Sequence, residues 1–202
     1  MRVLVTGATG YIGGRLVPLL LEKGYDVTVL VRDPRRAVRR AWSDEVEIRR
    51  GDLLDSASLE HAFAGVDTAY YLVHSMYGGA DFAARDREAA SNFARAAANL
   101  QRVVYLGGLL PSEGRVPSAH LASRAETGRL LREALPVTEI RAGPIIGSGS
   151  ASFEMVRYLT ERLPIMIAPR WILNDVQPIG VSDVLRYLVV EKGRRNVRSI
   201  KP

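Results

Sequence analysis

The chain has 202 residues, of which 47% are hydrophobic and 25% charged, a composition typical of one globular domain that excludes disordered and fibrous classes. It contains no cysteine, which excludes disulfide scaffolds, cysteine zinc sites and thiolate nucleophiles, and His61, His74 and His120 lie too far apart in sequence to suggest a metal site. The net charge of +6 favours a phosphate-bearing ligand.

Short β-branched runs alternate with longer helical patterns along the chain, which indicates βαβ units and a parallel sheet. The six predicted strands are Arg2–Val5, Asp26–Val31, Val46–Arg49, Thr68–Leu72, Arg102–Leu106 and Val137–Arg141. The six predicted helices are Tyr11–Lys23, Ser56–Phe63, Asp81–Leu100, Ser118–Leu135, Ala151–Arg162 and Val181–Val190. Pro18 should bend the first helix, because it removes the hydrogen bond to the Gly14 carbonyl. No repeat or linker divides the pattern, so we predict one doubly wound, three-layer α/β/α domain over residues 1–202.

The basic residues concentrate in residues 32–40 and 192–201, without the interleaved aromatic residues that stack on bases. Solvated arginines and one cofactor-facing cluster therefore explain the charge better than a nucleic-acid surface. No apolar run reaches the length of a membrane span, and the first residues lead into the turn Thr6–Gly10 instead of the apolar region of a signal peptide. We expect a soluble, cytoplasmic protein.

The glycine-rich segment Thr6–Gly13 lies between the first predicted strand and the first predicted helix. In a dinucleotide-binding loop Gly7 permits the tight turn, Gly10 allows close approach of a diphosphate, and Gly13 lets the helix pack on the strand. The diphosphate would then lie at the helix N-terminus, where free N–H groups favour anions. The segment predicts a Rossmann fold that binds a dinucleotide. The other predicted contacts in this loop are Thr9, Tyr11 and Ile12.

This loop resembles the TGxxGxxG fingerprint of the extended and atypical branches of the short-chain dehydrogenase/reductase superfamily. The resemblance extends over the whole chain, through the segments Val29–Pro34 and Gly51–Leu54, Asn92 in the long helix, and Gln177–Val184. It implies that Asp52 and Leu53 contact the adenine, and that Leu72, Val73 and His74 line the cofactor after the fourth strand.

The end of the second strand decides between NADP and NAD. An acidic residue there binds a ribose 2′-hydroxyl, whereas an arginine accommodates a 2′-phosphate. Arg32 lies nineteen residues after Gly13, and Arg35 and Arg36 add positive charge nearby. These residues favour NADP. The alternative is that Asp33 turns inward and selects NAD.

The resemblance also implies a catalytic tyrosine, a lysine four residues later, and a serine at the end of the fifth strand. The matching helix segment reads His120-Leu121-Ala122-Ser123-Arg124, the fifth strand ends in Gly107-Gly108, and the chain has no Tyr-x-x-x-Lys. In one interpretation Arg124 binds the nicotinamide ribose and His120, one helical turn away, exchanges the proton. In the other interpretation His120 is a polar lining residue and Arg124 only anchors the cofactor.

Further candidates lie near the expected nicotinamide end. His74 and Tyr77 are alternative acid/base groups, and Pro144 and Ile145 would contact the nicotinamide from the loop after the sixth strand. A set of apolar residues would form either a substrate wall or the core under the last helices: Phe153, Met155, Tyr158, Met166 and Trp171.

The segments His120–Arg132 and Arg141–Gly147 resemble an atypical subgroup of bacterial NAD(P)-binding proteins, described as nucleoside-diphosphate-sugar epimerase-like or NAD(P)H-binding oxidoreductases. In that subgroup a further strand, and often another domain, follows the equivalent of Val181–Val190. Here a basic tail ends at Pro202, so we expect a reduced substrate region around residues 144–180, in either a fragment or a minimal form.

Two functions follow from this comparison. One is an NADP-dependent reductase, isomerase or epimerase that acts on a small carbonyl or sugar-like substrate through a non-standard acid/base group. The other is a redox sensor or scaffold that binds NADP(H) without turnover. The alanine-rich faces of helices Asp81–Leu100 and Ser118–Leu135 would allow a homodimer.

Overall fold

A seven-stranded parallel sheet forms the centre of the computed structural model, which describes residues 1–75, 81–111, 116–162, 176–190 and 197–199. In chain order the strands are β1 (Arg2–Thr6), β2 (Asp26–Val31), β3 (Glu47–Arg50), β4 (Thr68–Tyr71), β5 (Arg102–Gly108), β6 (Val137–Ala142), β7 (Ile145–Ile146), β8 (Ile179–Gly180) and β9 (Val197–Ser199). The sheet has the order β3-β2-β1-β4-β5-β6-β9, and β7 and β8 form a separate parallel pair.

Helices cover both faces of the sheet. They are α1 (Gly13–Glu22), α2 (Pro34–Val38), α3 (Phe82–Ala96), α4 (Ala119–Ala134), α5 (Ala151–Arg162) and α6 (Val181–Val190). On one face, Val5 belongs to a core cluster that includes Leu16 of α1 and Leu188 of α6. On the other face, Leu4 belongs to a cluster that includes Phe93 of α3 and Leu131 of α4. Because both sides of each central strand are buried, the strands are almost continuously apolar. The predicted doubly wound α/β fold is confirmed.

Several short elements differ from the sequence prediction. The expectation that no strand follows Val181–Val190 is wrong, because β9 pairs with β6 and makes the sheet seven-stranded. The helix expected over Ser56–Phe63 is a 3-10 helix over Ser56–Leu59, and α3 ends at Ala96, where the N–H of Ala97 closes the last turn on the Phe93 carbonyl. Within the described ranges, no helix is both long enough and apolar enough to span a membrane.

Pro18 lies inside α1 without ending the helix. A proline at this position leaves the carbonyl of Gly14 without its usual partner in the helix. The indole Nε1 of Trp42 donates a hydrogen bond to this carbonyl over 3.3 Å. The ring of Trp42 is buried in the same core cluster as α1. The tryptophan therefore compensates for the proline and connects α1 to the segment after α2.

Candidate functional site

A crevice opens at the carboxyl ends of the strands where β4 lies beside β1 and the chain changes direction across the sheet. In open parallel sheets such a switch point is the usual place for a ligand. Thr6 fixes the two strands at this point, since its hydroxyl donates to the Tyr70 carbonyl over 3.0 Å and accepts from the Leu72 amide over 3.2 Å. The loops after β1 and β4 therefore have fixed positions on either side of the crevice.

The glycine-rich loop after β1 leaves no room for side chains at two of its glycines. Gly7 has a φ of +70°, in the left-handed region. A Cβ on Gly13 would lie 2.3 Å from the Gly7 carbonyl oxygen and 2.8 Å from the Ala8 Cα. The loop closes on itself through a 2.9 Å hydrogen bond from the Gly10 amide to the Gly7 carbonyl. The result is a tight turn whose exposed outer side is Gly10.

Helix α1 begins directly after this turn, where the Gly14 and Arg15 amides donate to the Gly10 and Ile12 carbonyls, each over 3.0 Å, and the Gly13 amide has no hydrogen bond within the described ranges. Its N-cap residue Ile12 provides no side-chain hydrogen bond, and the first turn carries no acidic residue. Free amides at a helix N-terminus and the helix dipole favour an anion. With the turn at Gly7, this arrangement fits a diphosphate, in agreement with the spacing of the glycines in the sequence.

Tyr11 and Arg15 connect the glycine-rich loop to the segment after β7. The Arg15 guanidinium lies 4.0 Å from the centre of the Tyr11 ring and donates to the Ser148 carbonyl over 2.9 Å. The Tyr11 hydroxyl is buried and has no hydrogen-bond partner in the described part of the chain. A Cβ on Gly147 would lie 2.5 Å from this hydroxyl, so the glycine makes room for the tyrosine.

Arginines line the crevice at the end of β2. Arg32 and Arg36 are exposed and line the cavity, and within the described ranges neither has a carboxylate partner. Asp33 also lines the cavity, but its Oδ1 accepts a hydrogen bond from the Arg35 amide over 3.1 Å as the N-cap of α2. This carboxylate is therefore held at the helix terminus, while the two guanidinium groups face the crevice.

The loop after β3 forms the next wall. The Asp52 Oδ1 accepts from the Leu54 amide over 3.0 Å, which folds the loop into a tight turn. The buried amide of Asn92 on α3 donates to the Leu53 carbonyl over 2.8 Å. Asn92, which was noted in the sequence only for its family resemblance, thus holds this wall in place.

These walls enclose one cavity of about 1100 Å³. It brings together nearly all residues that the sequence predicts to contact a cofactor. Those that line it are Gly7, Thr9, Gly10, Tyr11, Ile12, Gly13, Arg32, Arg36, Asp52, Leu53, Leu72, Val73, His74, Arg124 and Ile145. Their contact with a cofactor stays a prediction, which their common location supports.

Other candidates lie elsewhere. Pro144 is exposed and does not line the cavity, and its carbonyl accepts a hydrogen bond from the Ile179 amide of β8 over 3.0 Å. Of the proposed apolar wall, Phe153 is half-buried while Met155 and Tyr158 are exposed, and none lines the cavity. The last candidates lie outside the described residues: Tyr77, Met166 and Trp171.

Two histidines from distant parts of the sequence meet at the end of the cavity away from Asp52. The rings of His74 and His120 have centroids 5.6 Å apart and are tilted by 59°. His74 lines the cavity, whereas His120 lies beside His74 and does not line the cavity. Arg124 lines the cavity one helical turn after His120, with its guanidinium donating to the Leu106 carbonyl. The sequence favoured His120 as acid/base group, but the structure places His74 nearer the cavity.

The environment of this pair disfavours protonation. Burial, helped by the nearby Arg124 guanidinium and by His120, lowers the pKa of His74 from 6.5 to about 4. Burial and Arg124 also lower the pKa of His120. The buried carboxylate of Asp86 acts in the opposite direction on both pKa values. Both imidazoles are therefore neutral near pH 7.

The low pKa of His74 should make the protein less stable in acid. A group whose pKa is lower in the folded than in the unfolded state stabilises the fold above the unfolded value, and this contribution is lost between the two values as pH falls. The free energy of unfolding should thus decrease between pH 6.5 and about 4. In His74→Gln we expect this decrease to be smaller by on the order of 2 kcal/mol. Urea unfolding over this pH range measures it. His61→Gln, which changes an exposed histidine, is the control. The prediction is contradicted if the free energy of unfolding of His74→Gln depends on pH as that of wild type does.

The two glycines at the end of β5 lie close to side chains of β6 and α4. A Cβ on Gly107 would lie 2.7 Å from Oε1 of Glu139, and one on Gly108 would lie 2.7 Å from the Leu121 side chain. Glu139 is buried, and its carboxylate binds the guanidinium groups of Arg132 and Arg141. The two glycines therefore allow α4 and this ion cluster to pack directly on β5.

Sequence reasoning missed three residues around the cavity. Ser75 and Arg85 line it, and Asp86 lies buried behind it. One signal for Asp86 was present in the sequence, because this charged residue stands three and seven positions before Ala89 and Phe93, on the apolar stripe of α3. No comparable pattern marked Arg85 or Ser75. The described residues contain no cluster of three or more His, Asp or Glu side chains suited to a metal ion.

Comparison with known proteins identifies the family. A family model described as NAD(P)H-binding matches residues 7–135. These include all three glycines of the glycine-rich loop, the loops after β2, β3 and β4, and Arg124. The chain belongs to this NAD(P)H-binding family. The resemblance to the short-chain dehydrogenase/reductase superfamily is thereby confirmed, together with its NAD(P)-binding Rossmann fold.

Relatives of the NAD(P)H-binding chain include plant reductases. Cinnamoyl-CoA reductase 1 of Oryza sativa subsp. japonica is 33% identical over 130 residues, which are 59% of this chain and 38% of that protein. An anthocyanidin reductase of Vitis vinifera is 36% identical over 90 residues, which are 42% of this chain and 25% of that protein. The chain thus spans about a quarter to two fifths of the length of these relatives. The Bordetella bronchiseptica enzyme WbmG in complex with NAD has the same fold, with a TM-score of 0.79, 19% identity, and coverage of 100% of this chain and 72% of that one.

Proposed function

We propose that the chain is an oxidoreductase that uses NADPH to reduce a small carbonyl compound at the His74 end of the cavity. The observation that carries the choice of NADPH is the arrangement after β2. Arg32 and Arg36 line the cavity there, while the carboxylate of Asp33 is engaged as the N-cap of α2. One carboxylate oxygen of Asp33 is thereby occupied, whereas the guanidinium groups of Arg32 and Arg36 have no carboxylate partner within the described ranges.

The electrostatics of this wall favour a 2′-phosphate over a hydroxyl. A guanidinium offers a planar pair of donors that matches phosphate, and hydrogen bonds between charged groups are worth about 1.5–3 kcal/mol each. One such contact corresponds to a preference of about 10- to 100-fold. On this proposal the glycine-rich loop would hold the diphosphate, and Asp52 and Leu53 would contact the adenine.

His74, His120 and Arg124 are proposed to carry out the proton transfer. A reduced nicotinamide, which His74 and Arg124 would hold at this end of the cavity, would supply a hydride to a carbonyl carbon. The carbonyl oxygen would take the N–H proton of the neutral His74 imidazole, which lines the cavity, while the other ring nitrogen takes up a proton, so that the ring stays neutral. His74 recovers a proton from solvent through His120, which is half-buried beside it. Arg124, held at the Leu106 carbonyl, would orient the ribose or the carbonyl oxygen.

A second function, binding of NADP(H) as a redox sensor without turnover, is favoured by one observation. The chain lacks the Tyr-x-x-x-Lys of its superfamily, and Gly107 and Gly108 stand at the end of β5, where the superfamily resemblance implies a serine. Isomerase or epimerase activity on a sugar-like substrate would use the same residues as the reductase.

Cofactor titration and a turnover assay test the proposal. We expect NADPH to bind at least about 10-fold more tightly than NADH in calorimetry. NADPH oxidation is then followed with a panel of aldehydes, ketones and quinones. With an active substrate, His74→Gln and His120→Gln should lower kcat by about 100-fold, the usual effect of losing an acid/base group. An unchanged rate in His120→Gln would refute its role in the relay. Tight binding without turnover across the panel would instead support the sensor.

A further inference from the structure

One buried carboxylate connects the two sides of the His74 end. Asp86 is only 5% exposed and lies on the inner face of α3. Its Oδ1 accepts from the Ser75 amide over 2.7 Å, and its Oδ2 accepts from the Ser123 hydroxyl over 3.0 Å. Asp86 thus bridges the loop after β4 and the first turns of α4.

Both partners of Asp86 are direct neighbours of cavity residues. Ser75 follows His74, and Ser123 precedes Arg124. The loop after β4 and helix α4 are far apart in sequence, and their relative position sets the distance between the imidazole and the guanidinium. The carboxylate bonds to the Ser75 amide and the Ser123 hydroxyl. Through these two residues it can fix the positions of His74 and Arg124, to which it makes no hydrogen bond.

Burial of this carboxylate is costly. Asp86 has no cation within ion-pair distance in the described part of the chain, and a buried charge without such a partner must rely on hydrogen bonds. An apolar residue would fill the same position on the inner stripe of α3 at lower cost, as Ala89 and Phe93 do. Packing does not require a carboxylate here, so its burial indicates that the two hydrogen bonds have a role in the geometry of the site.

We propose that Asp86 is a positioning residue, which holds the His74–Ser75 segment against helix α4 so that His74 and Arg124 face the cavity at a fixed separation. The proposal deepens the proposed function and rests on it for the meaning of this geometry. It does not make Asp86 a catalytic residue, since the carboxylate is turned towards Ser75 and Ser123.

Several ionisable groups surround Asp86. They are Tyr71 of β4 and His74 after it, Tyr105 of β5, and His120 and Arg124 of α4. Burial lowers the pKa of His74, and the charge of Asp86 raises it. If Asp86 also keeps His74 buried by holding its segment in place, its charge and its positioning role have opposite effects on this pKa. Loss of the charge alone keeps His74 neutral. Release of the segment exposes the ring to water and lets it titrate near its ordinary value.

Two substitutions separate these effects. Asp86→Asn removes the charge but keeps an oxygen for the Ser75 amide, whereas Asp86→Ala removes both contacts. The chain has only three histidines, so NMR can follow each ring. We expect His74 to stay neutral between about pH 5 and 7 in wild type and Asp86→Asn, and to titrate within this range in Asp86→Ala. Asp81→Asn, the same change at the exposed start of α3, is the matched control.

Kinetics provide an independent readout. With an active substrate, Asp86→Ala should lower kcat by at least about 10-fold, and Asp86→Asn should recover most of it, while the Kd of NADPH changes less than about threefold. The proposal is overturned if His74 stays neutral in Asp86→Ala, or if Asp86→Asn behaves like Asp86→Ala. If the alanine variant does not fold, Asp86→Ser, whose hydroxyl is too short to reach both partners, takes its place. A wild type without turnover would refute the reductase, but the histidine titration would still decide the role of Asp86.

Discussion

Replacing Gly13 with alanine is expected to weaken NADPH binding by at least about 100-fold, which corresponds to about 2.7 kcal/mol. The new Cβ would lie 2.3 Å from the Gly7 carbonyl oxygen and 2.8 Å from the Ala8 Cα, both backbone atoms of the turn. Helix propensity alone would favour alanine by up to about 1 kcal/mol. The clash should outweigh this gain, since α1 must move away from the turn, which would change the surface proposed to hold the diphosphate. Calorimetry with NADPH measures the loss.

The next residue provides the control. A Cβ on Gly14 would lie 3.4 Å from the Ala8 carbonyl oxygen and from the Arg40 guanidinium, which is ordinary contact. We expect Gly14→Ala to bind NADPH as wild type does and to unfold at slightly higher urea concentration. Equal affinity of the Gly13→Ala and Gly14→Ala variants would show that this turn does not hold the diphosphate.

Replacing Arg32 with glutamate should reverse the cofactor preference. NADPH affinity is expected to fall by about 100-fold, because a favourable contact with the 2′-phosphate becomes a repulsion. NADH affinity should stay the same or increase, since a carboxylate at the end of β2 can accept from the ribose 2′-hydroxyl. A double substitution with Arg36→Glu should extend the effect on NADPH. Titration of each variant with both cofactors measures the two affinities.

Arg35 allows a matched control for charge. Arg35 lies beside Arg36 on α2, but its side chain is 90% exposed and does not line the cavity. Arg35→Glu makes the same change in net charge and should alter NADPH affinity by less than about threefold, because exposed charges at a distance are screened. If Arg35→Glu and Arg32→Glu weakened NADPH binding equally, general charge and not a contact at Arg32 would explain the preference.

The regular part of the fold was predictable from sequence, because central parallel strands are apolar on both faces and flanked by turn residues. Asp26–Val31 was predicted with its observed bounds, and the other five predicted strands differ by one or two residues at their ends. Strands of two or three residues, such as Ile145–Ile146 and Val197–Ser199, carry no detectable periodicity. Helix α2 was missed although Asp33 and Pro34 form a helix start signal, an N-cap residue followed by proline at the first position.

The cofactor side of the site follows from local sequence, but its substrate side does not. Glycine spacing and strand ends predict the contacts to the diphosphate, the adenine and the 2′-phosphate within single loops. The pairing of His74 with His120 joins residues from β4 and α4, and only the packing of α3 and α4 against the sheet brings them together. The position of His74 in front of His120 was therefore not accessible from either segment alone.

Trp42 and Arg40 have a consequence for how the site discriminates between cofactors. Trp42 bonds to the Gly14 carbonyl that Pro18 leaves open, and Arg40 donates to the Thr9 carbonyl in the glycine-rich loop. Both residues follow α2, which starts two residues after Arg32. The two hydrogen bonds connect the glycine-rich loop and the first turn of α1 to the segment after α2. Selection between the two nicotinamide cofactors should then depend on charge presented in a preformed frame, with little rearrangement of the protein on binding.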